Sequence, residues 1–406
     1  MVNQSIKSQL KMKPVENKDI EAFNELLRYV FQISDDEIMS SGYEDDRDII
    51  KAKRPLFARA DVYGWFTSDD ALISQVAIYP FEVNMHGNRI KMGGLTGVGT
   101  YPEYANLGLM SDLIKQALIA MKEKGQIVSY LYPYSVPFYR RKGWEIISDK
   151  MTFTLEDTQL PKNKDVKGHV VRFDVDAPEI YEFYDKFASQ RHGAMYRDEL
   201  AWGEYWRWEN EEERYAALYY DEHNVATGLC FYWILDEIFH IKELIYLTQD
   251  AHHGLWNFIS AHFSMINQVS GNNFTGEPIA FNLEDSDIVE TIEPYYMGRI
   301  VDVYAFLKIY PFLDKSVPFT LNIHDDYAPW NDRIFGVYWR DGEIKIVEEV
   351  VGEVITMNIG TLSTLLFGYK TVTELAKLSQ VQASESALNI LSKTIRVEKL
   401  YFSDYF

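Results

Sequence analysis

Apolar side chains at helical spacing run through DIEAFNELLRYVFQ (19–32), which predicts a helix with Asp19 as its cap. Polar ground at 34–54 separates it from three segments with period-two alternation, PLFARADVYGWF, ALISQVAIYPFEV and RIKMGGLTGVGTY. These predict antiparallel strands, with His86-Gly87-Asn88 as a hairpin turn. Met110, Leu113, Ile114, Ala117, Leu118 and Met121 form one helical stripe that Gly125 ends. QIVSYLYPY (126–134) reads as a buried strand. Helix, meander, glycine-bearing turn, helix and strand make an α/β unit of about 150 residues.

The charged, proline-bearing stretch 152–170 reads as a linker, after which the pattern partly repeats. PEIYEFYDKFASQ (178–190) is a predicted helix, and AALYYD with GLCFYWILDEIFHIKELIYL supplies strands. AHHGLWNFISAHFSMINQ (251–268) has helical spacing, and EPIAFNLE reads as a strand. This is a degenerate second copy of the first unit. From Gly298 the pattern changes to strands with polar turns: RIVDVYAFLKIY, PFTLNIHDD, RIFGVYWRDG and EIKIVEE. Two amphipathic segments follow, IGTLSTLLFG and TVTELAKL, then a helix over 383–393 and a strand or extended tail, IRVEKLYFSDYF. The expected units are 1–154, 155–297 and 298–406, an α/β (α+β) chain with mixed, mostly antiparallel sheets.

Length agrees, since 406 residues exceed one ordinary core. A formal charge of −21, from 61 acidic against 40 basic residues, argues against nucleic acid and would attract cationic small molecules. The lone Cys230 excludes an internal disulfide and a cysteine zinc site. The basic N-terminus lacks the apolar run of a signal peptide, and GLCFYWIL (228–235) is too short to span a bilayer. A cytoplasmic protein without metal or membrane partner is the expectation. His252, His253 and His262 lack a carboxylate at ligand spacing. Trp202, Tyr205, Trp206 and Trp208 could cage a cation, but read more simply as a packing hinge.

GLTGVGTYPEYANLGLMSDLI (94–114) carries the chemistry. A strand turns at Tyr101-Pro102 and feeds a helix whose start holds Asn106, Leu107, Gly108 and Leu109. Free N–H groups there suit a pyrophosphate, and glycine permits its close approach. An ordinary strand–loop–helix connection is the alternative. The segment V-G-T-x-P-E-Y-x-x-x-G-L-M resembles the GCN5-related N-acetyltransferases (GNAT), in which an Arg/Gln-x-x-Gly-x-Gly/Ala turn binds the acetyl-CoA pyrophosphate. Ala105 stands where that arginine or glutamine is expected, Asn106 where a second arginine is common, and Met110 replaces the last small residue. Backbone donors survive such changes, whereas charge-assisted contacts do not.

YLYPYSVPFYRRKGWE (130–145) extends the resemblance, matching F-Y-x-x-x-G-aromatic after the fifth strand. The tyrosine there can protonate the departing thiolate, which makes Tyr139 the candidate acid. Two acetyltransferase-like units, a sterol-carrier-like domain with D-Y-A-P-W-N (326–331) and an aromatic end resemble the enhanced intracellular survival (Eis-like) acetyltransferases. That resemblance implies that the α-carboxylate of Phe406 reaches the first unit as general base; a packed strand end is the bland alternative. A terminal carboxylate is a weak base that desolvation strengthens.

The resemblance further implies acetyl-CoA as co-substrate, lying along Val98, Gly99 and Thr100. Its pyrophosphate would lie over Asn106, Leu107, Gly108, Leu109, Met110 and Ser111, with Tyr134 and Ser135 on the adenine side. The acceptor would be a primary amine of a cationic small molecule (aminoglycoside or polyamine) or lysine, by direct transfer. Candidate acceptor groups are Asp35, Asp36 and Asp404, with walls from Phe31 and Tyr405. A homo-oligomer is implied, a hexamer being one form. A non-enzymatic or apolar-ligand-binding protein on the same scaffold is the alternative function.

Overall fold

Residues 6–40, 42–207, 214–276 and 278–406 are described by the computed structural model. Its first third opens with β1 (Lys11–Pro14) and three helices, α1 (Ile20–Phe31), α2 (Asp35–Ser40) and α3 (Asp46–Phe57). Then come β2 (Asp61–Phe66), β3 (Leu72–Met85), β4 (Asn88–Thr100), α4 (Leu109–Glu123), β5 (Val128–Leu131) and α5 (Val136–Arg140). β1 to β5 lie side by side in that order, antiparallel except for the parallel pair β4 and β5 that α4 connects. The β3–β4 hairpin turns at His86 and Gly87, both at positive φ (50° and 88°), which matches the right-handed twist of the strands.

Alternation sends the two faces of this sheet to different cores. Leu113, Ile114, Ala117, Leu118 and Met121 of α4 pack with Val76, Ile78, Leu95 and Leu131 on one face. Tyr79, Phe81, Val83, Met92 and Tyr130 face a larger core that includes residues from the rest of the chain and its end. Met297–Ile300 enters the same sheet, between β5 and Glu145–Ile146.

A second sheet runs from Val289–Pro294 through Asp149–Glu156, Gln268–Asn273, Ile238–Tyr246, Ala226–Leu235 and Tyr215–Tyr220 to His169–Phe173. Its parallel pair, Ile238–Tyr246 with Gln268–Asn273, is bridged by helix Gln249–Ser260, repeating the β4–α4–β5 arrangement. The third sheet orders Glu343–Val347, Ile334–Arg340, Phe319–His324 and Glu353–Asn358 under helices Ile359–Leu366, Val372–Lys377 and Glu385–Thr394.

Several elements differ from the sequence pattern. The polar ground at 34–54 forms α2 and α3, and Pro55 to Phe57 end α3 instead of opening a strand. Asp45 caps α3, accepting from the N–H groups of Arg47 and Asp48, while Ile49, Leu56 and Phe57 supply a sparse buried face. Asp19 does not cap α1; its carboxylate accepts from the Glu16 N–H in the preceding turn. Thr152 to Glu156 are strand, not linker. The helix expected to Gln268 stops at Ser260. Within EPIAFNLE, Ala280–Asn282 is a single 3-10 turn, and Glu277 lies outside the described residues. Val303–Ile309 is helical because Asp302 caps it, accepting from the Ala305 N–H. The chain end runs without pairing as a strand, and from Leu400 to Phe406 it is buried except for Tyr405.

His86, at the hairpin tip, stacks on His192 with ring centroids 3.6 Å apart. The His86 N–H donates to Nδ1 of His192 (3.3 Å), and Nε2 of His192 lies 3.2 Å from the Phe367 carbonyl oxygen. The neutral ring therefore uses both nitrogens, and a second proton would break the His86 bond. Burial holds His192 well below its ordinary value, with His86, Arg191 and Arg396 adding repulsion against the Phe367 carbonyl. The unfolded chain takes up a proton below about pH 6.5 that the native chain refuses, so stability falls as pH drops through that value. Thermal scans should show the melting temperature falling between pH 6.5 and 5.5. His192→Gln should be less stable at neutral pH yet show a shallower fall; an equal slope would remove these rings from the pH dependence.

Candidate active site

β4 and β5 pair through only three rungs, Met92↔Val128, Gly93↔Ser129 and Gly94↔Tyr130. Beyond Gly94, β4 continues to Thr100 against β3 alone, and a slot opens on its other side. Opposite Val76, β4 carries an extra residue, since Gln75 pairs with Gly99 and Ala77 with Thr96. Gly97 takes this bulge at φ 62°, where an added Cβ would lie 2.7 Å from the Phe23 ring. The bulge leaves Gly97 and Val98 without a partner on β3, while Gly99 and Thr100 stay paired with Gln75 and Ser74. Backbone groups along an opened parallel edge can take up a ligand's amides.

The loop after β4 ends in two left-handed residues, Asn106 at φ 62° and Gly108 at φ 74°. Gly108 begins α4 without a side-chain cap. Among the described residues, the N–H groups of Asn106, Leu107, Gly108, Leu109, Met110 and Ser111 have no hydrogen-bond acceptor. Consecutive free donors at the positive end of a fifteen-residue helix make a site for an anion. Ser111 Oγ lies 3.3 Å from Tyr327 Oη, in the DYAPWN turn. The residues fit a phosphorylated cofactor by their backbone, and the loop 101–111 holds no basic side chain.

Tyr139 lies on α5, whose first residue follows Ser135. It is buried among the α4-side residues, with the Phe138 ring edge-on at 5.0 Å. Burial pushes its phenol above the ordinary value, so it stays protonated. Lys142 sits over Phe138 at 3.5 Å, its ammonium lowered to about 8 by burial and then Arg141. Gly143, at φ 89°, is required because an added Cβ would meet Arg299, which donates to the Lys142 carbonyl and pairs with Asp325. This explains the Gly-aromatic step of the motif, with Trp144 buried beyond it.

The chain end lies on the opposite face. Phe406 covers Gly94, where an added Cβ would fall 2.7 Å from its ring, and Phe402 stacks edge-on with Tyr130 at 5.2 Å. The last rung before the slot, Gly94↔Tyr130, is thus covered by both tail phenylalanines. The Phe406 N–H donates to Tyr296 Oη at 3.1 Å. Tyr139 and Phe406 belong to apolar clusters on the two faces of one sheet, with the slot between them.

The acceptor candidates disperse. Asp404 is 1% exposed and accepts from Arg197 Nε at 2.7 Å, so it is a structural anchor and not an amine ligand. Asp35 pairs with Arg28, while Asp36 is simply exposed. Phe31 meets Tyr134 edge-on at 5.5 Å, and Tyr29 meets Tyr101 at 5.3 Å, forming an aromatic rim. Tyr405 packs on Tyr132 at 5.0 Å. Trp202 and Tyr205 do cage a cation, but it is Arg197 of this chain, 3.7 Å from the Tyr205 ring. Trp208 lies outside the described residues. His252 accepts from Trp256 Nε1, away from the slot. Arg197, Glu243 and Tyr296 carry no motif; only their burial reveals them.

In the second copy the equivalent helix start carries a side-chain cap. Thr248 caps Gln249–Ser260, accepting from the Ala251 N–H. Cys230 is fully buried in that sheet, and burial raises its thiol well above the ordinary value.

Three family models match successive stretches of the chain. An acetyltransferase (GNAT) domain matches residues 11–147, a second acetyltransferase (GNAT) domain matches 193–300, and a sterol carrier protein domain matches 303–403. An uncharacterised N-acetyltransferase of Streptomyces avermitilis is 23% identical over 78% of this chain and 82% of its own. A conserved protein of Enterococcus faecalis V583, described as a probable N-acyltransferase, superposes with TM-score 0.86 and 25% identity over 98% of this chain and 99% of that one. Eis1 of Mycobacterium abscessus shares the fold, with TM-score 0.80 and 16% identity over 98% and 100% of the two chains. Among the described residues no helix is long and apolar enough to cross a membrane. The chain is a GCN5-related N-acetyltransferase, with two acetyltransferase (GNAT) domains followed by a sterol carrier protein domain.

Proposed function

We propose that the first domain binds acetyl-CoA in the slot between β4 and β5 and acetylates a primary amine by direct transfer. The observation that carries this reading is the parting of the parallel pair at Gly94↔Tyr130. An uncapped helix start lies at one end of the slot, and the tail covers its vertex. Acetyl-CoA would supply the thioester. Val98, Gly99 and Thr100 would align it, and the N–H groups of Asn106 to Ser111 would hold the pyrophosphate, with Tyr134 and Ser135 beyond. In the second copy, the Thr248 cap consumes a donor that such a site needs.

An amine arrives protonated and cannot attack until it loses a proton. The α-carboxylate of Phe406 would take that proton, directly or through water, and the amine lone pair would attack the thioester carbonyl. As the C–S bond breaks, the Tyr139 phenol would give its proton to the leaving thiolate. Burial makes the phenol a weaker acid, but the same dry surroundings raise the proton affinity of the thiolate it meets. Cys230, buried in the second sheet, is out of reach as an acyl carrier.

The acceptor we infer is cationic, of the aminoglycoside, polyamine or lysine kind. Tyr29, Phe31, Tyr101 and Tyr134 rim the mouth. Burial and then the carboxylates of Glu25 and Glu103 raise the Tyr101 phenol, which places negative charge beside those rings. Aromatic faces with nearby carboxylates favour an ammonium.

Calorimetry of the full chain with acetyl-CoA should show one site per chain, and no heat at high micromolar ligand would overturn the reading. Adding two residues after Phe406 should abolish most turnover of an accepted amine while leaving acetyl-CoA affinity intact; full activity would remove the terminal base. Tyr139→Phe should cost about a hundredfold in kcat, the range of a lost general acid, with cofactor affinity unchanged. An unaltered kcat would assign the proton elsewhere.

A further inference from the structure

We propose that Lys7, which no motif places in the site, supplies the cationic contact to the cofactor pyrophosphate that the β4–α4 loop lacks. The inference deepens the reading above and rests on it. The loop 101–111 has no lysine or arginine and carries the acidic Glu103, so its donors are all backbone. A dianionic pyrophosphate held by neutral N–H groups alone keeps its whole net charge, which a lysine or arginine would partly offset through a bond charged on both sides.

Lys7 lies far from that loop in sequence and next to it in space. Its Nζ sits 3.6 Å from the point where a Cβ on Gly108 would lie. Gly108 is the left-handed residue that opens α4, and the free N–H groups lie on both sides of it. Nζ bonds Asp112 Oδ2 at 2.6 Å, one turn into α4. The two side chains are 33% and 38% exposed, so the ammonium is held at the helix start without being sealed there. An exposed ion pair of this kind costs little to rearrange.

The position is built. A short turn, closed by Gln9 N–H to Ile6 O and Leu10 N–H to Lys7 O, leads into β1. β1 then registers on β2, with Met12 opposite Trp65. Trp65 lies beneath Lys7, 5.7 Å from Nζ to the ring centroid, and its Nε1 donates to the Leu109 carbonyl at 3.1 Å. One tryptophan thus ties the lysine and the helix start together. Lys115, the next basic residue along α4, is instead over Tyr327 at 5.5 Å. Lysine is a flexible point charge, suited to an anion that arrives and leaves each turnover.

The test is calorimetry on the full chain with acetyl-CoA and with its 3′-dephospho form. Lys7→Ala should weaken both about tenfold, the worth of one hydrogen bond to a charged group, and should flatten the salt dependence of binding. Lys7→Arg should restore most of the affinity. Asp112→Asn, which breaks the ion pair but keeps the ammonium, should bind at least as tightly as the parent. Unchanged affinity in Lys7→Ala, with the parent binding normally, overturns the proposal alone. So does an equal loss in Asp112→Asn, which would make the pair merely structural. A loss confined to acetyl-CoA would move the contact to the 3′-phosphate and overturn the pyrophosphate assignment. Failure of the parent to bind either ligand would overturn the cofactor reading and this inference together.

Discussion

The architecture depends on a buried guanidinium. Arg197 is sealed between the rings of Tyr184 and Tyr205 and satisfies two carboxylates at once, Asp404 at 2.7 Å and Glu243 at 3.2 Å. Burial opposes ionisation of Glu243, but Arg197 and the hydroxyls of Ser403, Tyr401 and Tyr205 outweigh it and hold the carboxyl low. Asp404 is the reverse case: burial raises it, and Arg197 only partly compensates. Such a set is demanding, because losing one member strands a charge at a cost of about 3–5 kcal/mol. It holds the tail in register through Tyr401, Ser403 and Asp404 together. The segment 401–404 is bonded from the second domain, and Phe406 is thereby delivered to a strand of the first.

This gives the second domain a structural role of its own. It contributes Arg197 and Glu243, the receptor for the tail. Gly193, where an added Cβ would meet Leu400 at 2.2 Å, lets the tail lie flat against it. The two copies have diverged at one place in the same motif. Gly108 leaves donors free in the first, and Thr248 satisfies one in the second.

Legibility follows the same division between local and distant causes. The α4 stripe, the hairpin at His86-Gly87 and the strand alternation are local patterns, and they appear where the sequence places them. α3 escaped notice because its buried face is only Ile49, Leu56 and Phe57 among charges, and Val303–Ile309 because β-branched residues mask a helix that Asp302 caps. The candidate site was legible as far as its motifs reach, through Gly108 and the F-Y-x-x-x-G-W segment. Asp404 looked like a free carboxylate because nothing near it in sequence announces Arg197, 207 positions away. Lys7 is invisible for the same reason, 105 positions from Asp112.

The placement of Tyr139 and Phe406 on opposite faces of one sheet constrains the reaction more than either residue does alone. An amine attacking a thioester approaches the carbonyl from one side, and the sulfur leaves by another. In the reaction proposed above, a base at the Phe406 carboxylate would meet the incoming ammonium from one face while an acid at Tyr139 would meet the departing sulfur from the other. The cost is that the slot must be kept open at its vertex. Gly94 serves there: it leaves room for the Phe406 ring on one face, while the neighbouring Gly93 leaves room for Met121 on the other. Two adjacent glycines of opposite facing therefore seat the tail and the α4 core on the same strand, so that neither cluster has to yield for the other to pack.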